Sequence, residues 1–243
     1  PEGALIPPPP QDTIASFPTI FVTFARSMTP YIDIHTHRCP AASPEEVIRI
    51  ASFRMGVDTV LPAAPFSAGI HPWDAGTACG HLSEIEERLR GCGATAVGEI
   101  GLDYARTPGQ ASCQRTVLAT QLRLAAELRL PVILHCVKAF ETVMRMLQGY
   151  PLPAVIFHGY TGSPQQTARA IAAGYYLSAG PRSLSSPKTK ESIRTLPSHR
   201  LFIETDDSDT SIQEVYAEVA ALQEIPATEL KEIVYQNFKT VFP

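Results

Sequence analysis

Residues 31–38 read YIDIHTHR, and this segment opens the regular part of the chain. The side chains of a strand alternate between its two faces, so Asp33, His35 and His37 share one face. Ile32 and Ile34 share the other face. The pattern predicts a strand that presents two imidazoles together at its carboxyl end. Two neighbouring neutral imidazoles can bind one metal ion; a solvated histidine pair at a surface strand end is the alternative.

From this strand onward, short apolar runs alternate with amphipathic stretches. Such runs are typical of parallel strands buried on both faces, with helices as the connections between them. The predicted strands cover residues 31–35, 94–100, 132–135, 154–158, 175–178 and 201–205. The predicted helices cover residues 80–90, 109–128, 139–147, 163–173, 187–196, 211–223 and 226–238. With 243 residues and no G-x-G-x-x-G or P-loop motif, this alternation favours an α/β barrel of the TIM type over an open doubly wound sheet.

Two parts of the chain depart from the alternation. Residues 1–27 contain a proline run at 7–10 and few charges, and we expect them to form a leader outside the core, disordered and dispensable for folding. A single barrel domain is then expected over residues 28–243. The stretch 41–70 is irregular, and Gly56, Pro62 and Pro65 interrupt it where a second βα unit would lie. That unit is therefore predicted to be shortened.

The composition is that of a globular protein, with 44% hydrophobic and 18% charged residues. A net charge of −4 gives no overall basic field, which disfavours a protein that coats DNA and leaves only a local cluster for nucleic-acid contact. No apolar run reaches the length of about 18 residues that a membrane span needs. The five cysteines include no C-x-x-C pair, which predicts reduced thiols and a cytoplasmic location.

Histidines and acidic residues recur at the ends of the predicted strands. Each of four apolar runs leads to one of them: Glu99, His135, His158 and Asp206. For any single position, a hydrogen-bonded strand end or helix cap is an equal alternative. The carboxyl ends of barrel strands converge on one mouth, however, and active sites of TIM barrels lie there. Because a buried carboxylate is costly unless it is paired or bound to a cation, these residues together with His35 and His37 predict a metal centre.

Further polar residues stand close to these positions. Glu204 precedes Asp206 by two residues and shares its face, which makes it a candidate outer support for the centre or a cap of the following loop. The candidate substrate contacts at the rim are Lys138, Arg182 and His71 in GIHPW. Lys188 and Lys190 are interpreted as solvated helix charges.

With these residues in hand, the chain resembles the TatD family of metal-dependent deoxyribonucleases, within the amidohydrolase-like TIM barrels. The motifs follow the family order over nearly all of residues 31–243: H-x-H at 35–37, G-I-H-P at 69–72, G-E-I-G-L-D-Y at 98–104, H-C at 135–136, H-x-x-T-G at 158–162, E-T-D at 204–206 and N-F at 237–238. The resemblance implies a distorted TIM barrel with a two-metal site. In that site His35, His37 and Asp206 would hold one ion, His135 and His158 the other, and Glu99 would bridge them. The chain departs from the family pattern at the rim, where Val137 and Lys138 follow His-Cys in place of an arginine.

The function implied by the resemblance is hydrolysis of phosphodiester bonds, in DNA or in a small phosphoester, by water activated between two divalent ions. Asp206 is expected to accept the proton of that water, and Glu99 to fix the ion spacing. The nitrogen and oxygen donors suit zinc, manganese or magnesium. No obligate protein partner is expected. Two other functions stay open: an amidohydrolase-type enzyme for a small ester, lactone or amide, and a metal-binding scaffold without catalysis.

Overall fold

The computed structural model describes residues 29–38, 46–63 and 65–242, and within them eight parallel strands form one sheet in sequential order. The strands are β1 (Tyr31–Thr36), β2 (Val47–Arg54), β3 (Phe66–Gly69), β4 (Ala96–Asp103), β5 (Val132–Val137), β6 (Val155–Phe157), β7 (Tyr176–Ala179) and β8 (Leu201–Ile203). The helices are α1 (Ala75–Ala78), α2 (Leu82–Gly91), α3 (Ala111–Leu128), α4 (Phe140–Leu147), α5 (Pro164–Ala172), α6 (Pro181–Leu184), α7 (Pro187–Thr195), α8 (Ile212–Gln223) and α9 (Ala227–Val241). The predicted α/β barrel is confirmed.

Contacts between the first and last strands bring the sheet close to a full barrel. The backbone N–H of His37 donates to the carbonyl of Asp206 at 3.0 Å, and the N–H of Asp206 donates to the carbonyl of His35 at 3.0 Å. The hydroxyl of Tyr216, on α8, hydrogen-bonds both the N–H and the carbonyl of Ile32 at 3.1 Å. The ends of β1 and β8 are therefore held side by side at the mouth of the barrel.

Helix α3 fixes the ends of two central strands. Gln114 and Gln121 lie seven residues apart, which is about two helical turns, so both face the sheet. The side chain of Gln121 pairs with the N–H and carbonyl of Ile70, just after β3, at 2.7 and 3.2 Å. The side chain of Gln114 pairs with the N–H and carbonyl of Asp103, at the end of β4, at 2.8 and 3.0 Å. Two buried side-chain amides thereby satisfy backbone N–H and carbonyl groups at the ends of β3 and β4.

Strands β2 and β3 lie outside the predicted strands, within the stretch 41–70. β2 reads VIRIASFR, and the polar Arg49 and Ser52 interrupt its apolar run, while β3 has only 4 residues. Neither shows the continuous apolar pattern on which the other predictions rest. In the described residues between them, 55–63 and 65, there is no helix, so the second βα unit is shortened in its connection and keeps a full strand.

Three further predictions concern the chain as a whole. The leader over residues 1–27 lies outside the described residues, so its dispensability stays a prediction. The described cysteines, Cys79, Cys92, Cys113 and Cys136, are free thiols, as predicted, whereas Cys39 lies outside the described residues. Among the described helices, none has the length and apolar character needed to cross a membrane.

Candidate metal centre

The side chains predicted to bind metal meet at the carboxyl-terminal mouth of the barrel. Strands β1, β4 and β5 carry His35, Glu99 and His135, and the residues just beyond β1, β6 and β8 include His37, His158 and Asp206. These six residues are called the metal centre below. Gly101 allows β4 and β5 to approach closely here, since a Cβ at this position would lie 1.9 Å from the carbonyl oxygen of His135.

Glu99 occupies the middle of the metal centre, and its two oxygens face different donors. Oε1 lies 2.6 Å from Nδ1 of His135 and 2.6 Å from Nε2 of His158. Oε2 lies 3.5 Å from Nε2 of His35 and 3.6 Å from Nε2 of His37. Asp206 completes the second set, with Oδ1 3.7 Å from each of the latter two nitrogens. One carboxylate therefore separates two groups of donors.

The metal centre contains buried ring nitrogens that find no hydrogen-bond partner among the described residues. Both nitrogens of His35 are in this state, as is Nδ1 of His158. A buried polar atom without a partner is costly, and a metal ion satisfies an imidazole lone pair directly. Three overlapping sets have ligand atoms within 4.8 Å of one another: His35, His158 and Asp206; His35, His37 and Glu99; His71, Glu99 and His135. The residues present therefore fit divalent metal ions.

The protonation states of Glu99 and His35 suit metal binding. Burial favours a neutral Glu99, but the facing His158, His135 and His37 outweigh it and hold the pKa of this carboxyl well below its usual value. Burial, with the neighbouring His158, lowers the pKa of His35 well below its usual value. An ionised carboxylate and a neutral imidazole are the ligand forms that bind metal. Burial lowers the pKa of His158, but the negative charges of Glu99 and Glu204 outweigh this effect and raise the pKa well above its usual value. The surroundings of this ring therefore favour a positive charge.

Asp103, which was not among the predicted site residues, supports His135 from outside the metal centre. Its Oδ2 accepts a hydrogen bond from Nε1 of Trp73 at 2.7 Å and lies 3.3 Å from Nε2 of His135. Its Oδ1 accepts from the N–H groups of Ala105 and Arg106 at 2.9 Å. With Nε2 held by this carboxylate, Nδ1 of His135 is turned towards Glu99. Carboxylate support of a metal-binding imidazole fixes its orientation and raises its basicity.

Replacing Asp103 by asparagine is expected to weaken metal binding by about 10–100-fold, the usual effect of losing such a partner. The amide oxygen can keep the two backbone bonds, but the amide nitrogen then faces two N–H donors, those of Trp73 and His135. The measurement is competition with a chromophoric chelator for zinc or manganese. The matched control is Asp74→Asn, since Asp74 pairs with Arg54 at 2.8 Å and touches no histidine of the metal centre. Equal metal affinity in the Asp103 and Asp74 variants would contradict this role.

Two further buried carboxylates lie behind the metal centre. Glu204 accepts a hydrogen bond from the N–H of Gly159 at 2.7 Å and lies 3.5 Å from Nδ1 of His158, so the partner it can support is His158. Asp33 accepts from the N–H and the hydroxyl of Thr205 at 3.0 and 2.7 Å and thereby ties β1 to the residue before Asp206. Burial raises the pKa of Asp33 to about 7, although the bonds from Thr205 oppose this shift.

The candidate substrate contacts lie at different depths. His71 is buried, with Nε2 3.3 Å from Oε1 of Glu99, so it adjoins the metal centre itself. Lys138 is exposed and borders a cavity beside His158. Arg182 is exposed as well, with Nη2 4.0 Å from Oδ2 of Asp206. The two cations stand on the rim, where a substrate phosphate could reach them.

Comparisons with known proteins agree with this fold and identify its family. The family described as TatD related DNase matches residues 61–243. The metal-dependent hydrolase YjjV of Escherichia coli is 29% identical over 222 residues, covering 84% of this chain and 84% of that protein. Its crystal structure covers 88% of this chain and 98% of its own, with a TM-score of 0.72 and 26% identity. The 3'-5' ssDNA/RNA exonuclease TatD of Cronobacter sakazakii is 35% identical over 149 residues, covering 58% of this chain and 56% of that protein.

The family match spans most of the chain, the barrel is the one expected from the sequence, and the six candidate ligands lie together at its mouth. The chain therefore belongs to the TatD family of metal-dependent hydrolases.

Proposed function

We propose that this hydrolase holds two divalent ions and cleaves phosphodiester bonds of DNA. The observation that carries the proposal is the placement of Glu99, whose Oε1 faces His135 and His158 while Oε2 faces His35 and His37. A carboxylate between two donor sets is the arrangement that a bridging ligand needs. Zinc, manganese and magnesium are the candidates, because the donors mix imidazole nitrogen with carboxylate oxygen.

Bound ions would activate a water molecule and neutralise the charge that develops on the phosphate oxygens. The chain's own contribution is to hold those ions and to take up a proton. Asp206 is suited to the second task, because burial, aided by Glu204 and Glu99, raises the pKa of its carboxyl despite the nearby His158 and His37. A base whose pKa lies closer to neutrality accepts a proton more effectively near pH 7. Its carboxylate is the proposed proton acceptor.

The rim cations supply the contacts to substrate. Lys138 and Arg182 flank the metal centre and are proposed to meet non-bridging phosphate oxygens, as a charge-assisted pair with phosphate is stronger than a neutral hydrogen bond. A nucleic-acid substrate is supported by the relatives, one of which is named as a single-stranded DNA and RNA exonuclease. A small phosphoester would use the same contacts. The predicted cytoplasmic location belongs to this proposal and accords with the free thiols described above.

The test is hydrolysis of end-labelled single-stranded DNA by purified protein of known metal content, beside duplex DNA and a nitrophenyl carboxyl ester. We expect cleavage of DNA that disappears after chelation and returns when zinc, manganese or magnesium is added back. The His81→Gln variant is the matched control, because His81 is an exposed histidine near Glu84 and belongs to none of the candidate ligand sets. Hydrolysis of the carboxyl ester without cleavage of any phosphodiester would overturn the proposal.

A further inference from the structure

A cavity of about 640 Å³ opens next to the metal centre, with His158 in its wall. Four aromatic residues contribute to its lining: Tyr104 after β4, Phe140 at the start of α4, Phe157 at the end of β6 and Tyr160 after β6. Its volume lies within the roughly 300–1,000 Å³ of sites that bury small organic ligands. The proposed reaction at the ions needs only a phosphate and a water molecule, so it does not account for the aromatic part of this cavity.

Two lysines from separate elements line the cavity. Lys138 follows β5 and Lys188 belongs to α7, and both are exposed lining residues. Neither forms a salt bridge with any residue in the described parts of the chain. Lys188 is thus an exposed helix charge, as the sequence suggested, and it also borders this cavity.

The remaining charges near the cavity are already paired. Glu141 also lines it, but its carboxylate accepts a hydrogen bond from Arg169 at 2.9 Å. On α7, Lys190 donates to Glu218 at 2.8 Å, away from the cavity. Among the residues that the structure describes, the free charge at this opening is therefore positive. Aromatic side chains stack with nucleobases, and nearby cations bind backbone phosphates, so a cavity lined by both suits a nucleotide of a single strand.

The geometry points to a subsite for the nucleotide next to the scissile phosphate, with its base in the aromatic cavity and its own phosphate at Lys188, while Lys138 contacts the scissile phosphate. This inference rests on the proposed cleavage of DNA and makes it more specific. A base that is paired in a duplex cannot enter the cavity, so the nucleotide at this subsite must be unpaired. A small diester without a neighbouring nucleotide uses the ions and the rim contacts to its single phosphate, but not Lys188.

The test compares the Lys188→Ala variant with Lys190→Ala, its matched control two residues away on the same helix. Each is assayed on a tetrathymidine oligonucleotide and on bis(4-nitrophenyl) phosphate. For Lys188→Ala we expect the KM for the oligonucleotide to rise about tenfold relative to the KM for the small diester, whereas Lys190→Ala leaves this ratio unchanged. The slope of log(1/KM) against log salt should become shallower by about 0.7, the value for one phosphate contact to a single strand.

A substrate change tests the base pocket without altering the protein. Removing the base of the neighbouring nucleotide, to leave an abasic site, should raise the KM of the unchanged enzyme by about fivefold or more, since stacking of one base contributes about 1–3 kcal/mol. Equal loss on both substrates, or an unchanged salt slope, in Lys188→Ala would overturn the subsite while cleavage of DNA stands. Failure of the unchanged enzyme to cleave any oligonucleotide would overturn the proposed function and the subsite together.

Discussion

Changing Glu99 to glutamine is expected to remove at least one metal ion per chain and to reduce turnover to background. The substitution deletes the negative charge that lies between the two donor sets, so two cations held there would repel each other across a short gap with little screening. The side chain keeps its size, and the barrel around it should fold. Elemental analysis of the purified variant gives the metal content, and the DNA assay gives the turnover.

The matched control is Glu84→Gln, because Glu84 is an exposed glutamate on α2. This control should keep the metal content and turnover of the unchanged protein. Circular dichroism and thermal unfolding of both variants would separate loss of metal from loss of fold. Full metal content in a folded Glu99→Gln variant would rule out the bridging role.

The Asp206→Asn variant should fail in a different way. Asparagine keeps an oxygen that can bind a cation, so metal beside His35 and His37 is retained with weaker affinity. The amide cannot accept the proton of the attacking water, and turnover should fall by roughly 10²–10⁴-fold, the usual range for loss of a general base. Metal content and turnover measured on the same sample test both parts of the expectation.

Asp207→Asn is the neighbouring control, because Asp207 is exposed and belongs to none of the candidate ligand sets. Its turnover should match that of the unchanged enzyme. Near-normal turnover in Asp206→Asn with full metal content would exclude Asp206 as the base. Glu204, buried against His158, would then be the next carboxylate to test.

The parts of the fold that were predictable are those in which one physical rule dominates. Strands β4 and β5 are apolar because both faces are buried, and Glu99 and His135 stand out against such runs. β2 obeys the same burial less strictly, since Arg49 is only partly buried. A polar residue within an apolar run makes such a strand hard to recognise from sequence. The described residues after β2 also contain no helix, so the helical pattern expected after the strand of a βα unit is absent there.

The meeting of the six candidate ligands at one mouth could be predicted because strand ends converge by topology, whereas the contacts of the residues behind them depend on side-chain direction. Asp103 lies four residues after Glu99 in β4 and so on the same face, a signal that the sequence does contain. Its contact with Trp73 and His135 depends on how the loops after β3 and β4 fold over the mouth. The same limit applies to Lys188, whose position over the cavity follows from the packing of α7 and not from its own neighbours in sequence.

Anomalous diffraction from crystals grown with manganese would examine the two-ion centre itself. The expected result is two peaks at the mouth of the barrel with the carboxylate of Glu99 between them, one beside His35 and His37 and the other beside His135 and His158. A single peak in the presence of excess metal, or two peaks that do not both touch Glu99, would contradict the bridged two-metal centre.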